Sequence, residues 1–267
     1  VRFAGTRQYR GLDKDVTVLS SDLVMDTCLL AGAIILKNGG ETYRTEETMA
    51  RIAQAAGMDD VNSSATPTSI ILSFRCKGLD HTRMVRTPSR TTNLNKITLV
   101  NDVSRRFVSG GITLEQAYLT LCEIDQKKPL YPKWMQHLAA ATASGSFAML
   151  AGGTWYDLAP SALAGLTVNL SLEYLEQFVR MKFFTEFSAA LLGGLFALLA
   201  VTVFPELHIS IIIIGAMLPM FPGIAITNSL RDLMAGDLVA GVSRGVEAML
   251  TAISVAVATA IILWFMR

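Results

Sequence analysis

Between Met217 and Arg244 the chain reads MLPMFPGIAITNSLRDLMAGDLVAGVSR, and this stretch holds the side chains best suited to chemistry. An apolar run breaks at Pro219, Pro222 and Gly223, and Asn228, Arg231, Asp232, Asp237 and Arg244 follow. An Arg or Asp near the centre of a bilayer costs about 3 kcal/mol on insertion scales, so ionisable groups there mark a site by default. A helix interrupted at a Pro-Gly pair also frees backbone groups that lipid cannot satisfy. Such a segment is buried in protein or lines a cavity, where it can hold a polar solute. The competing reading makes the residues from Asn228 onward an amphipathic interfacial helix with solvated charges. Asn169 and Glu186 lie in other apolar runs and read first as interhelical and helix-end hydrogen-bonding groups.

The elements that must position these groups follow from how charge is distributed. Of 23 Lys and Arg, 18 fall in residues 1–136, with 14 of the 22 Asp and Glu. Residues 137–267 carry the remaining charges among long apolar runs. That is a soluble domain followed by a membrane domain. The basic residues form no long run interleaved with aromatics, so nucleic acid is not an expected partner. Cys28, Cys76 and Cys122 are odd in number and widely spaced, which fits free thiols in a reducing compartment. His81, His137 and His208 are too scattered for a metal site, and no cofactor is expected. The apolar segments begin late, so no cleavable signal peptide is read.

Residues 1–19 read as a flexible lead-in and residues 20–130 as a cytosolic α+β domain. A helix with Leu23, Cys28, Leu29, Ala31, Gly32, Ile35 and Leu36 inward stops at Asn38-Gly39-Gly40, and a second runs from Glu41 to Ala56. The run from Val61 to Ser73 and the segment from Thr82 to Thr87 predict a small sheet. Helices follow over Asn93–Ser109 and from a capping box at Thr113-Leu114-Glu115-Gln116. Arg83, Arg86, Arg90 and Lys96 around Thr87-Pro88-Ser89 are a candidate anion site or a solvated edge. No Gly-x-Ser-x-Gly supports a serine hydrolase and no Walker motif supports ATP hydrolysis.

Residues 131–267 read as an all-α, five-span transmembrane domain: Trp134–Ala151, Leu158–Leu172, Phe187–Phe204, an interrupted Ile209–Thr227, and Ala248–Phe265. Basic residues flank one side, at Lys127, Lys128 and Lys133, at Arg180 and Lys182, and at Arg231 and Arg244. The loops Gly152–Asp157 and Pro205–His208 hold none. This predicts a cytoplasmic N-terminus and an outside C-terminus in the cell (inner) membrane. Tyr131, Trp134, Trp155, Tyr156 and Trp264 sit near span ends as interfacial anchors. Small-residue faces at Ala140, Ser144, Ala148 and Gly152, and at Ala189 with Gly193 and Ala190 with Gly194, predict close helix packing. An odd span number lets a second five-span unit insert upside down, the layout of an inverted repeat.

Taken in order, Leu30-Ala31-Gly32 through Asn38-Gly39-Gly40-Glu41-Thr42-Tyr43-Arg44, Ala56-Gly57-Met58 and Thr66-Pro67-Thr68-Ser69-Ile70-Ile71-Leu72-Ser73 make a pattern with Thr82-Arg83-Met84-Val85-Arg86. It continues through Tyr131-Pro132-Lys133-Trp134, Gly152-Gly153 with Asp157, Pro222-Gly223, Asn228, Arg231-Asp232, Gly236-Asp237, Gly241 and Arg244. The set resembles the threonine/serine exporter family, and in particular the N-terminal-half subunit of its split, two-component bacterial form. The resemblance implies a secondary exporter subunit, not an enzyme, working as a hetero-oligomer with a small integral-membrane partner. It also implies a dicarboxylate such as succinate, or threonine or serine, as substrate.

A carboxylate suits the residues: the amides after Gly223 form a positively poled seat and Arg231 adds a bidentate contact. Asn228 offers an amide, Asp232 is a proton acceptor or the partner of Arg231, and Asp237 with Arg244 forms a gate pair; the structural alternative makes Asp232 a plain ion pair with Arg231 or Arg244. Substrate binding is thus expected at Pro222, Gly223, Asn228, Arg231 and Asp232, with Asp237, Arg244 and Glu186 gating or coupling. The alternative function is a membrane-tethered enzyme or sensor whose soluble domain is the active part.

Overall fold

The computed structural model describes residues 16–87, 91–179 and 181–265, with the side chains of 16–20 outside that set. The lead-in before residue 16, Pro88, Ser89 and Arg90 of the anion-site reading, and Arg180 therefore lie outside the described residues. The chain divides into two units: residues 1–128 with 224–245, and residues 129–223 with 246–267.

In the first unit α1 (Val16–Lys37) is the central helix. Val24, Cys28, Leu29, Ile34, Ile35 and Leu36 are all enclosed, so the apolar stripe read from the sequence widens to nearly the whole circumference. Against α1 pack α2 (Thr42–Ala55), α3 (Leu94–Val108), α4 (Leu114–Gln126) and a sheet. The sheet has three antiparallel strands in chain order, β1 (Asp59–Thr66), β2 (Ser69–Cys76) and β3 (Leu79–Arg86). The sequence reading ran the first two strands together. Thr66 pairs with Ser69 across a two-residue turn at Pro67-Thr68, where the missing proline N–H favours a turn over a ladder. The second turn, Lys77-Gly78, has both residues at positive φ (51° and 80°), the geometry that matches strand twist. Ile70, Leu72 and Phe74 of β2 face the core and Ile71 faces out.

Local signals set the helix ends here. Asn93 Oδ1 accepts from Lys96 N at 3.2 Å, and Thr113 with Gln116 closes the expected capping box. The cysteines are free. In the arginine group Arg83 is bound to Asp22 and Asp26, and Lys96 Nζ donates to the Asp125 carbonyl at 2.7 Å. These cations are engaged by the protein itself.

The second unit holds α5 (Lys133–Leu150), α6 (Trp155–Phe178), α7 (Lys182–Val203), α8 (Ile209–Met217), a 3-10 turn at Leu218–Met220, and the C-terminal part of α10 (Leu238–Trp264). Small residues bring these helices together. A Cβ on Gly165 of α6 would stand 1.9 Å from Ser144 Oγ of α5, and one on Gly215 of α8 would stand 2.7 Å from the Ser144 carbonyl. Gly193 of α7 meets Val168 of α6 in the same way, and Gly194 meets Ile262 of α10. The small faces seen in the sequence thereby acquire partners.

Among the described residues α7 and α10 are long and apolar enough to cross a membrane. Ile209–Met220 with Gly223–Ala235 is a third if the broken pair is one span. The first two expected spans are helices, α5 and α6, but fall short of that hydropathy. Leu192, Leu195 and Leu199 of α7 and Met249, Ile253 and Val257 of α10 point outward, as lipid-facing side chains do.

Candidate functional site

The expected break is present: α8 gives way to the 3-10 turn, Phe221 is extended, and α9 (Gly223–Ala235) begins after Pro222. The Gly223 amide donates to the Phe221 carbonyl at 2.8 Å. That amide therefore has a backbone partner within the break.

Within the first unit the charges of α9 and α10 close on the turn between α1 and α2. This turn needs Gly39 at φ +92°, a conformation glycine adopts without strain. It leaves two backbone carbonyls available, and both are taken. Asn228 Nδ2 donates to the Gly39 carbonyl at 2.8 Å, and Arg244 Nη2 donates to the Gly40 carbonyl at 2.8 Å. Asn228, Arg231 and Asp232 sit at helical spacing of three and four, so one face of α9 presents Asn228 with both neighbours.

Asp232 is the centre of the cluster and is 0% exposed. Its Oδ1 accepts from the Thr42 hydroxyl at 2.7 Å and the Thr42 amide at 3.2 Å. That amide is one of the orphan donors at the start of α2, whose N-cap residue Glu41 makes no side-chain cap. A carboxylate from α9 therefore caps α2, where the helix dipole favours negative charge. Asp232 Oδ2 lies 3.1 Å from Arg244 Nε, a buried ion pair with Arg244 7% exposed, although the contact lacks the alignment of a hydrogen bond. Thr42 Oγ1 is also 3.0 Å from Asp237 Oδ2, and since a hydroxyl carries one proton it donates to one carboxylate at a time.

Of the two cations open to Asp232, Arg231 is turned away, because neighbours on a helix point about 100° apart; the cation it meets is Arg244. Arg231 pairs instead with Glu41, Nη1 to Oε1 at 2.6 Å, while Arg44 lies 3.5 Å from the other Glu41 oxygen. Burial would raise the Glu41 pKa, but its own backbone amide and the two arginines outweigh that and hold it below the usual glutamate value. Nor are Asn228, Asp232 and Arg244 solvated, since each is buried. Of the two residues expected to form a gate pair, Asp237 meets Thr42 and Arg244 meets Asp232.

The sequence reading missed Glu41, Thr42 and Glu46. Glu46 accepts from the Ala65 amide at 2.6 Å, and burial together with the charges of Asp237 and Asp232 raises its pKa. The run Asn38-Gly39-Gly40-Glu41-Thr42 is the available signal, which in the sequence marks a helix stop and part of the family pattern but not a site.

The end of α9 is built for a close return. Gly236 is at φ +91°, its amide bonds to the Leu233 carbonyl, and the Asp237 amide bonds to the Asp232 carbonyl at 2.8 Å. This is the Schellman arrangement. It brings α10 back against α9, with Ser229 Oγ donating to the Gly241 carbonyl at 2.7 Å.

A cluster of buried opposite charges capping a helix, in a chain with apolar helices of membrane length, fits a transporter better than an enzyme with a nucleophile and base. Comparison with known proteins agrees. The profile of the threonine/serine exporter family, ThrE, matches residues 26–266. The chain belongs to the threonine/serine exporter family. This is a family of membrane transporters and not of enzymes.

The chain is 24% identical over 225 residues to the "Probable threonine/serine exporter" of Mycobacterium tuberculosis, covering 83% of this chain and 42% of that protein. It is 26% identical over 251 residues to the "Probable succinate transporter subunit YjjP" of Escherichia coli, covering 90% and 94%. To the "Threonine/serine exporter" of Corynebacterium glutamicum it is 24% identical over 235 residues, covering 85% and 48%. It thus spans less than half of each named exporter and nearly all of the YjjP protein. No solved structure matches the chain.

Proposed function

We propose that this chain is one subunit of a secondary-active exporter that moves small carboxylates out of a bacterial cell. The substrate is a dicarboxylate such as succinate, or else threonine or serine. The observation that carries the reading is the α9 cluster in a member of an exporter family: Asp232 and Arg244 buried together, beside an Arg231 that remains 56% exposed. Both charges are buried at a desolvation cost, beside a cation that solvent still reaches.

In this reading residues 20–130 are the cytosolic domain and residues 131–267 supply five spans, with the C-terminus outside in the inner membrane. A small membrane partner inserts the opposite way and completes an inverted repeat. The near-complete coverage of a relative named as a subunit supports such a division of labour. Pro222, Gly223, Asn228, Arg231 and Asp232 bind the solute, and Asp237, Arg244 and Glu186 gate or couple. Arg231 already holds one carboxylate, that of Glu41, so a substrate carboxylate competes with a tethered one.

Efflux of labelled succinate and threonine from cells producing the full chain, with and without a small membrane protein as the proposed partner, tests the reading. Efflux that requires both chains and falls in Arg231→Ala and Asp232→Asn supports it. Efflux indifferent to both substitutions removes the site and leaves the exporter.

A further inference from the structure

The second unit encloses a carboxylate that its surroundings do not fully satisfy. Glu186, in the opening turns of α7, has a side chain 12% exposed, and its Oε2 is buried with no hydrogen-bond partner. Its Oε1 stands 3.9 Å from Lys182 Nζ, one turn earlier on the same helix. That ammonium is nearer another acid, at 2.9 Å from Oε1 of Glu247 on α10. Glu176 of α6 adds negative charge and the Thr251 hydroxyl of α10 approaches Glu186. Among the described residues these are the charged and polar groups that face Glu186 from α6, α7 and α10.

Lys182 stands closer to Glu247 than to Glu186, which leaves the Glu186 carboxyl without a close ion pair on a helix apolar enough to cross a membrane. An ionised carboxylate in such a place needs both oxygens paired, and Oε2 is not. A proton on the carboxyl removes its charge without calling for a closer cation. We propose that Glu186 binds and releases a proton during transport, with Lys182 as the counter-charge that moves between Glu247 and Glu186. The proton comes from water, adds to a Glu186 carboxyl oxygen and leaves by the same bond. While it is bound, Lys182 pairs with Glu247, the arrangement seen here. When it leaves, the Glu186 carboxylate draws Lys182 across the 3.9 Å gap. This names the coupling ion of the exporter proposed above and rests on that reading.

Infrared difference spectra of the purified full chain in lipid nanodiscs, taken between low and high pH, address the site without any transport. The expected result is a protonated-carboxyl band that fades as pH rises, absent in Glu186→Gln and present in Glu247→Gln. The same band persisting in Glu186→Gln overturns the assignment. In vesicles from cells producing the full chain with the proposed partner, Glu186→Gln is expected to lose the response of succinate efflux to an imposed pH gradient. Glu186→Asp, which keeps a titrating carboxyl, is expected to retain part of it. Efflux with the same pH response in wild type and Glu186→Gln overturns the proton role and leaves the exporter reading standing. Absence of efflux for every substrate in wild type, with the Glu186 band intact, overturns the exporter reading and with it the coupling role.

Discussion

Thr42 and Asp232 are 190 residues apart in the chain, yet the Thr42 hydroxyl donates to Asp232 Oδ1 at 2.7 Å. The contact ties the first turn of α2 to α9 and is buried on both sides. Thr42→Val keeps the branched shape and removes the donor. With Oδ1 left to the weaker 3.2 Å amide contact, stability is expected to fall by about 1–3 kcal/mol, the cost of an under-satisfied buried acceptor. Thermal unfolding of the detergent-solubilised protein measures it, and an unchanged midpoint counts against the hydroxyl contact as a tie between α2 and α9.

The Asp232–Arg244 pair makes a second prediction. Removing either partner alone strands a buried charge, so Asp232→Ala and Arg244→Ala are each expected to cost roughly 3–5 kcal/mol. The double variant is expected to cost less than the sum, because neither charge is then left alone. A double-mutant cycle with additive losses would show that the 3.1 Å contact carries no coupling.

Glu41 and Glu46 should respond to pH in opposite senses. Glu41 is held below the ordinary glutamate pKa, so its stabilising effect is present above the unfolded value and is lost as pH falls through the lower folded one. Glu41→Gln is expected to flatten that acid limb. Glu46 is raised by burial and by Asp237 and Asp232, so its ionised form opposes folding at neutral pH. Glu46→Gln, which still offers an oxygen to the Ala65 amide, is expected to stabilise the protein at neutral pH. Denaturation midpoints measured from acid to neutral pH in both variants decide the matter.

Packing in the second unit is tight enough for a single methyl to be felt. A Cβ on Gly193 would lie 2.2 Å from Val168 Cγ2, and Val168 is a stiff, buried side chain. Gly193→Ala is expected to destabilise by about 1–3 kcal/mol, and Val168→Ala placed with it to recover part of the loss. Should the double variant unfold earlier than either single one, the close approach of α6 and α7 at this point is wrong.

Much of the architecture was legible in local signals. The capping box at Thr113, the stop at Asn38-Gly39-Gly40, the strand-forming run that ends at Ser73, and the break before Gly223 each depend on residues a few positions apart. The sequence also marks Asn228, Arg231, Asp232 and Arg244 as unusual, because charge is rare in so apolar a region. It says nothing of their partners, since a carboxylate can be satisfied by any cation or amide the fold brings within about 3 Å.

The sequence leaves Arg231 and Arg244 both open as partners of Asp232, while the helix turns one side chain away from the next and the fold delivers Arg244. Glu41 and Thr42 were invisible for the same reason. Their part rests on contacts spanning about 190 positions, which local periodicity does not encode. Local chemistry thus determined where helices, turns and the break fall. Only tertiary structure decided which charge meets which, because electrostatic and hydrogen-bond partners are chosen by distance in space.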